Sequence, residues 1–150
     1  MPSSVKPDIA YLLDTNVVRE LDPNGHRNVR AWKRTIDDTA FWISVMTLHE
    51  IRRGWEVMKR RDPGRAAVGL AKLGALEDAY EGRIIPVDAA IAAEWARLVG
   101  EKDKHRDDMA LAATCRVRGL VLVTRNIADF KGRRVRVLDP FKVRPEIIMI

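Results

Sequence analysis

Acidic and amide side chains recur in this sequence where an apolar run ends or a helix is expected to begin. Asp14 ends the apolar run at residues 9–13, which is typical of a buried strand. In open α/β sheets, functional groups collect just beyond the carboxyl ends of the strands. Other side chains in comparable positions are Glu50, Asp108, Asn126 and Asp129. We therefore expect these side chains to converge on Asp14 in one site.

A cluster of carboxylates is typical of a site for a hard cation. Carboxylates that lie close together raise one another's pKa unless a cation lies between them. The three histidines, His26, His49 and His105, fit no zinc spacing, and we expect them to be surface or partly buried groups. Oxygen ligands without such a pattern suit Mg²⁺ or Mn²⁺. A water acidified by such an ion is a nucleophile for phosphodiester cleavage.

Each of these carboxylates also has an ordinary structural interpretation. Asp14 is a good helix N-cap residue. Thr47 and Glu50 have the spacing of a capping box, which would begin a helix at residue 46 or 47. Asp107 and Asp108 open an alanine-rich helix, where negative charge is favourable anyway. Because Asp108 leads directly into the packed face of that helix, we expect it to point inward and Asp107 to be solvated.

The elements that position these side chains alternate between strand and helix. Strands are predicted at residues 9–13, 41–45, 83–87, 120–123 and 135–138, and helices at residues 16–21, 28–37, 46–61, 65–80, 89–99 and 107–118. The alternation predicts an α/β fold with a mainly parallel central sheet flanked by helices. Pro86 favours an edge position for its strand or the end of that strand. One domain over residues 1–150 is expected, with a loose lead-in at residues 1–8 and a tail, residues 139–150, of uncertain placement.

The composition favours a basic chain that acts on a polyanion. With 150 residues the chain is long enough for one domain with a sizeable core. A net charge of +6 and a pI near 9.8 favour RNA, DNA or an acidic protein as a partner. No signal-peptide pattern is present, and no run approaches the roughly 20 apolar residues of a membrane span, so we expect no membrane association. The single cysteine excludes an internal disulfide and fits a reducing cytoplasm.

Basic residues near these segments could rim an acidic pocket and compensate its repulsion of nucleic acid. The candidates are Arg19, Arg27, Arg30, Lys33, Arg52, Arg53, Lys59, Arg60, Arg61, Arg125, Lys131, Arg133 and Arg134. Such a rim would bind phosphates on either side of the carboxylates.

Four segments, in this order, resemble the PIN-domain ribonucleases and, among them, the VapC-type toxins of bacterial toxin–antitoxin pairs. They are Leu-Asp-Thr-Asn-Val at residues 13–17, Ser-Val-Met-Thr-Leu-His-Glu-Ile at 44–51, Asp-Met-Ala-Leu-Ala-Ala-Thr at 108–114, and Leu-Val-Thr-Arg-Asn-Ile-Ala-Asp-Phe at 122–130. Each segment alone is unspecific. Together they extend over nearly the whole chain, and the resemblance implies a single PIN-like domain.

The resemblance also implies which residues act. Asp14, Glu50 and Asp108 would hold Mg²⁺, or Mn²⁺, and activate the attacking water. The fourth position is either Asn126, which can coordinate without charge, or Asp129, the better charged candidate. The supporting hydroxyl and amide groups near the pocket are Thr15, Asn16 and Thr124. The resemblance further implies an RNA substrate, a homodimer, and inhibition by a VapB-type antitoxin whose C-terminal segment covers the active-site groove.

Two other functions compete with a toxin endoribonuclease. A catalytically inactive PIN-like module would bind RNA without cleaving it, and the amide at Asn126 is the feature that points that way. A structure-specific DNA nuclease is the other alternative, because the fold is related to that of flap nucleases. The short chain, in which we identify no DNA-clamping region, argues against it.

Overall fold

The computed structural model describes residues 8–101 and 105–150 and has the α/β architecture that the sequence predicts. The strands are β1 (Tyr11–Leu13), β2 (Phe41–Ser44), β3 (Ile84–Ile85), β4 (Val121–Val123), β5 (Arg136–Leu138) and β6 (Ile148–Met149). The helices are α1 (Thr15–Val18), α2 (Arg27–Lys33), α3 (Val45–Met58), α4 (Pro63–Ala79), α5 (Ala89–Val99) and α6 (Arg106–Arg118). Short 3-10 turns lie at Asp38–Ala40 and Ile127–Phe130. Of the lead-in predicted at residues 1–8, all but Asp8 lies outside the described residues.

The strands form one six-stranded sheet in the order β3-β2-β1-β4-β5-β6. The first five are parallel, and β6 runs antiparallel to β5. Strand β1 lies between β2 and β4, with Leu12 in register with Trp42 on one side and Leu122 on the other. The carboxyl ends of these three strands therefore meet at one edge of the sheet, which is where the candidate site residues follow them.

Both faces of the central sheet are covered, which explains why its strands are continuous apolar runs. Leu12 and Leu122 pack into one core cluster together with residues of α5 and α6. Leu13 and Val123, which alternate with them along the strands, pack into a second cluster that includes Val29 of α2. None of the helices in the described ranges is long and apolar enough to cross a membrane.

Several predicted caps and positions are confirmed. Asp88 caps α5, since its Oδ1 accepts a hydrogen bond of 2.9 Å from the Ile91 amide. Gly119 ends α6 with a left-handed backbone at φ +70°, a conformation that favours glycine. Strand β3, which precedes Pro86, lies at one edge of the sheet, as predicted.

The predicted capping box of Thr47 and Glu50 is wrong. Helix α3 begins at Val45, because Ser44 ends β2 in an extended conformation and its hydroxyl accepts a 3.0 Å hydrogen bond from the Met46 amide. Thr47 thus lies inside the first turn of α3, and its buried Oγ1 has no hydrogen-bond partner among the described residues. The Glu50 side chain therefore does not cap α3 and instead contacts Thr15.

Other helices are shorter than predicted. Helix α1 ends at Val18 rather than at residue 21, and successive tight turns continue the chain from there to residue 21. Helix α2 ends at Lys33 rather than 37, and Asp37 instead caps the following 3-10 turn through the Thr39 amide. Helix α3 ends at Met58 rather than 61, shortly before α4 begins at Pro63. The tail of uncertain placement contains β6, in which Ile148 pairs with Val137 of β5.

Candidate active site

Asp14 lies directly after β1 and is held by three hydrogen bonds. Its Oδ1 accepts from the Thr15 amide at 2.7 Å, and its Oδ2 accepts from Thr124 Oγ1 at 2.8 Å and from Asn16 Nδ2 at 3.3 Å. The residue is 6% exposed. Burial raises the pKa of Asp14, the hydrogen bonds from Thr124 and Thr15 oppose this, and the negative charge of Glu50 adds to it. Asp14 is therefore both the N-cap of α1 and a fixed carboxylate at the sheet edge.

Glu50 reaches the same place from α3. Its Oε2 accepts a 2.6 Å hydrogen bond from Thr15 Oγ1, although the two residues are 35 positions apart. The contact follows from topology, because β2 lies beside β1 and α3 begins where β2 ends. The hydroxyl of Thr15 thus links the start of α1 to the Glu50 carboxylate.

Asp108 lies in the first turn of α6, with 34% of its side chain exposed. The neighbouring Asp107 is exposed, so the predicted inward and solvated positions of the pair are confirmed. Partial burial, followed by the negative charges of Asp14 and Asp129, raises the pKa of Asp108 to about 6. Glu50 contributes in the same direction, while His105 opposes it. The carboxylates therefore lie close enough to interact electrostatically.

The two candidates for the fourth position, Asn126 and Asp129, have different surroundings. The Asp129 carboxylate lies with Asp108 and His105 in a group whose donor atoms are all within 4.8 Å of one another. The contacts of Asn126 run through its backbone: its amide donates to Thr124 Oγ1 at 3.1 Å, and its carbonyl accepts from the Asp129 amide at 3.1 Å. Asn126 thus shapes the turn that brings Asp129 to the cluster.

His105 is a member of this group that the sequence interpretation placed among ordinary surface groups. Its Nδ1 lies 3.6 Å from Asp108 Oδ2, and its Nε2 lies 3.8 Å from Asp129 Oδ1. The spacing of His105 and Asp108 indicated part of this arrangement, because residues three apart at the start of a helix lie on the same side. The spacing alone does not show that the Asp129 turn closes the other side of the imidazole.

The residues present fit a divalent cation. Their donor atoms are mainly carboxylate oxygens, which suit Mg²⁺ or Mn²⁺, and one imidazole nitrogen lies beside those of Asp108 and Asp129. Partial burial is the largest cause of the raised pKa of Asp108, and the negative charges of Asp14 and Asp129 add to it; a cation among the carboxylates would offset that repulsion. The candidate ligands are Asp14, Glu50, Asp108 and Asp129.

A cavity of about 190 Å³ adjoins the carboxylates. Its lining combines acidic and basic groups: Met46, Thr47, His49, Glu50, Arg53, Asp107, Asp108 and Leu111. On the side of Asn16, the Arg125 amide donates to Asn16 Oδ1 at 3.2 Å, and the Arg125 guanidinium lies 4.7 Å from the centre of the Phe141 ring. A larger depression of about 650 Å³ along α2 is lined by Arg30 and Lys33 of the basic candidates but by none of the candidate carboxylates. The smaller cavity is therefore the candidate site.

Comparison with known proteins gives three findings. The family model described as PIN domain matches residues 11–132. Toxin FitB of Neisseria gonorrhoeae is 28% identical over 136 residues, and VapC ribonuclease Y4jK of Sinorhizobium fredii is 28% identical over 142 residues; each match covers 87% of this chain and 97% of the relative. A solved toxin-antitoxin complex from Klebsiella pneumoniae contains a chain that is 25% identical, with a TM-score of 0.62 and coverage of 89% of this chain and 99% of that one.

Proposed function

Since the chain belongs to the PIN domain family, we propose that it is a metal-dependent endoribonuclease and the toxin of a VapBC-type toxin–antitoxin pair. The observation that carries the proposal is the convergence of carboxylates from separate elements: Asp108 and Asp129 offer oxygen atoms within 4.8 Å of each other, and Thr15 hydrogen-bonds to both Asp14 and Glu50. Carboxylates from four separate parts of the chain interact in one place, although the chain as a whole has a charge of +6. Such a cluster favours cation binding over a purely structural role.

The names of the relatives support the substrate and the biological role. One relative is named a ribonuclease and another a toxin, and the chain aligns with 97% of the length of each. The alignment therefore extends over nearly the whole length of both relatives. RNA is accordingly the substrate that we propose, with DNA as an outcome that the experiment below separates.

Asp14, Glu50, Asp108 and Asp129 would hold the cation, Mg²⁺ or Mn²⁺. When bound, the cation would polarise the phosphodiester and acidify an attacking water. Asp14 supplies the most rigid oxygen atoms of the set, because three hydrogen bonds fix its carboxylate. Glu50 is oriented by the Thr15 hydroxyl. These contacts preorganise the site before substrate arrives, which is what precise positioning of a reacting phosphate requires.

Basic side chains beside the cluster would bind the RNA backbone. Arg53 lines the same cavity as Glu50 and Asp108. Arg125 follows Thr124, which donates a hydrogen bond to Asp14. Arginine binds phosphate through paired N–H donors. We infer that these two arginines contact phosphates close to the scissile bond.

Attack by water has a consequence for the products. A nuclease that uses the ribose 2′-hydroxyl as nucleophile forms a 2′,3′-cyclic phosphate, whereas attack by water leaves linear phosphate and hydroxyl ends. We therefore expect RNA fragments without cyclic phosphate. End-labelling of the fragments, with and without phosphatase treatment, measures this directly.

Cleavage of total cellular RNA by the purified chain tests the proposal. We expect discrete fragments with Mg²⁺ or Mn²⁺, none with EDTA, and none from Asp14→Asn, which circular dichroism should show to be folded. Asp78→Asn is the matched control, because this exposed carboxylate lies on α4 outside the cluster. Intact RNA in every lane, from folded protein free of antitoxin, would indicate the non-catalytic binding module. Cleavage of DNA with intact RNA would indicate the DNA nuclease.

The partners form a second part of the proposal. We propose a cytoplasmic homodimer that a VapB-type antitoxin holds inactive, and the similarity to a chain of a solved toxin-antitoxin complex supports the antitoxin. Expression of the wild-type chain in a bacterial host should arrest growth, and expression of Asp14→Asn should not. Light scattering on the Asp14→Asn protein measures the oligomeric state. Growth unaffected by well-expressed, folded wild-type chain would contradict the toxin role.

A further inference from the structure

We propose that His105 is a nitrogen ligand of the divalent cation at this site and that it shifts the selectivity of the site from Mg²⁺ toward a transition-metal ion such as Mn²⁺. The inference rests on the proposed metal site and extends it by one residue of a different chemical type. It concerns which ion the protein holds, which the carboxylates alone leave open between Mg²⁺ and Mn²⁺.

The distances around the imidazole fit a shared ion better than hydrogen bonds. His105 Nδ1 lies 3.6 Å from Asp108 Oδ2, and His105 Nε2 lies 3.8 Å from Asp129 Oδ1. Hydrogen bonds between such atoms measure about 2.7–3.2 Å. Two donor atoms that share one ion through bonds of about 2.1 Å lie between roughly 3 and 4.2 Å apart, and each of the two distances satisfies this separately. Because the two ring nitrogens point in different directions, one ion can take only one of them. One ring nitrogen and one oxygen from each carboxylate lie within 4.8 Å of one another, so a small side-chain movement would bring all three to one ion.

The same three side chains are accessible to an ion from solvent. The exposed fractions are 35% for His105, 34% for Asp108 and 33% for Asp129. They come from two elements, since His105 and Asp108 lie at the start of α6 and Asp129 lies in the 3-10 turn Ile127–Phe130. The group is thus open to solvent, whereas Asp14 is buried. An ion held there would retain sites for water.

A nitrogen ligand changes the preference between ions. Mg²⁺ is bound almost entirely by oxygen, keeps most of its waters and demands near-ideal octahedral geometry. Imidazole binds first-row transition ions more readily. Replacing one oxygen ligand by His105 therefore lowers the relative affinity for Mg²⁺ and raises that for Mn²⁺.

The variant His105→Asn tests the inference with little change to the backbone. His105 has a left-handed conformation at φ +54°, which asparagine tolerates better than most residues. His49→Asn is the matched control, because His49 lines the neighbouring cavity but is not among the three grouped side chains. Binding of Mn²⁺ and of Mg²⁺ is measured by isothermal titration calorimetry on the full chain. The ¹⁴N modulation of the Mn²⁺ electron-spin echo reports directly whether a histidine nitrogen binds the ion.

We expect wild-type protein and His49→Asn to show ¹⁴N modulation and His105→Asn to lack it. Loss of a residue that hydrogen-bonds to a metal ligand commonly lowers metal affinity by roughly 10- to 100-fold. Loss of a ligand itself should cost at least as much, so we expect the Mn²⁺ affinity of His105→Asn to fall by that factor or more. The Mg²⁺ affinity should change much less. Unchanged or tighter Mn²⁺ binding by His105→Asn, or persistent ¹⁴N modulation, overturns the inference; tighter binding would mean that the imidazole occupies the place of the ion.

These measurements separate the inference from the proposed function. An active Mn²⁺-dependent ribonuclease without ¹⁴N modulation would overturn the role of His105 and leave the nuclease intact. Mn²⁺ binding with histidine-dependent modulation but no cleavage of RNA would support the role of His105 and overturn the nuclease.

Discussion

Thr124 Oγ1 donates a hydrogen bond of 2.8 Å to Asp14 Oδ2, although 110 residues separate the two. Both side chains are buried. The same hydroxyl oxygen accepts a hydrogen bond from the Asn126 amide, in the turn that leads to Asp129. A single hydroxyl group therefore ties the carboxylate that follows β1 to the turn that follows β4, and so couples the geometry of two candidate metal ligands.

Replacement of Thr124 by valine should weaken both the fold and the proposed activity. Thr124→Val keeps the shape but leaves Asp14 Oδ2 without its shortest hydrogen bond and the Asn126 amide unpaired, which should lower the free energy of unfolding by about 1–3 kcal/mol. Cleavage of RNA should fall by roughly tenfold, because a shift of about 1.4 kcal/mol in positioning has that effect on rate. Urea denaturation and an RNA cleavage assay measure the two effects. Thr124→Ser, which retains the hydroxyl, should keep most of both, and equal loss in the two variants would contradict this explanation.

The stability of the metal-free protein should depend on pH through Asp108. Its pKa is raised to about 6 from the usual 3.8, because of burial and neighbouring negative charges. The folded state therefore binds this proton more tightly than the unfolded state, so the contribution of Asp108 to stability is most favourable below about pH 4 and is lost as the pH rises through about 6. The stability of Asp108→Asn should not fall in this way, because asparagine carries no titrating carboxyl group. With allowance for solvent screening of a half-buried group, it should be more stable than wild type by about 1–2 kcal/mol at neutral pH.

Urea denaturation in EDTA at a series of pH values measures this difference. The wild type and Asp108→Asn should converge near about pH 4, where the wild-type carboxyl is protonated. A gap that does not vary with pH, or a less stable variant at neutral pH, would show that repulsion at Asp108 does not limit stability. The same variant should lose RNA cleavage, which would separate its role in function from its role in stability.

Two glycines of α4 should respond to alanine in opposite directions. A Cβ at Gly69 would lie 2.2 Å from Trp55 Cε2 of α3, whereas a Cβ at Gly74 would meet no atom within 4 Å. Gly69→Ala must displace the indole and should destabilise the protein by about 1–3 kcal/mol. Gly74→Ala should stabilise it by about 0.5–1 kcal/mol through helix propensity. Thermal unfolding of both variants measures the contrast, and a stabilising Gly69→Ala would mean that Trp55 does not pack tightly against α4.

Neighbouring arginines on α3 should differ in their effect on RNA binding. Arg53 lines the cavity beside the carboxylates, while Arg52 forms a 3.0 Å ion pair with Glu77 of α4. In the non-cleaving Asp14→Asn background, Arg53→Gln should weaken RNA binding and reduce the slope of log affinity against log salt concentration by about 0.7, the value for one phosphate contact on a single strand. Arg52→Gln should leave both the RNA affinity and its salt dependence nearly unchanged. Fluorescence anisotropy of labelled RNA at several salt concentrations measures both, and a larger effect from Arg52→Gln would relocate the RNA path.

Much of the fold was predictable from local sequence because its signals are local. Strands β1, β2 and β4 are continuous apolar runs, as parallel strands buried on both faces require. The caps at Asp88 and Gly119 depend only on a few consecutive residues. The inward direction of Asp108 was predictable as well, because it begins the packed face of its own helix.

Where a local pattern allowed two outcomes, tertiary structure decided between them. The spacing of Thr47 and Glu50 suits a capping box, but Ser44 takes the cap and Glu50 meets Thr15 on another element. The short apolar end of the chain has no local signal for its partner, and it becomes a strand only because β5 offers an unpaired edge.

The sequence by itself thus determined most of the elements, the caps at Asp88 and Gly119, and the set of carboxylates available at the sheet edge. It did not determine which other residues contact those carboxylates. His105 joins the site because the turn that carries Asp129 packs beside the start of α6, and Thr124 reaches Asp14 because β4 pairs with β1. Periodicity and capping act over a few residues along the chain, whereas these distances are set by strand pairing and helix packing between segments that are remote in sequence.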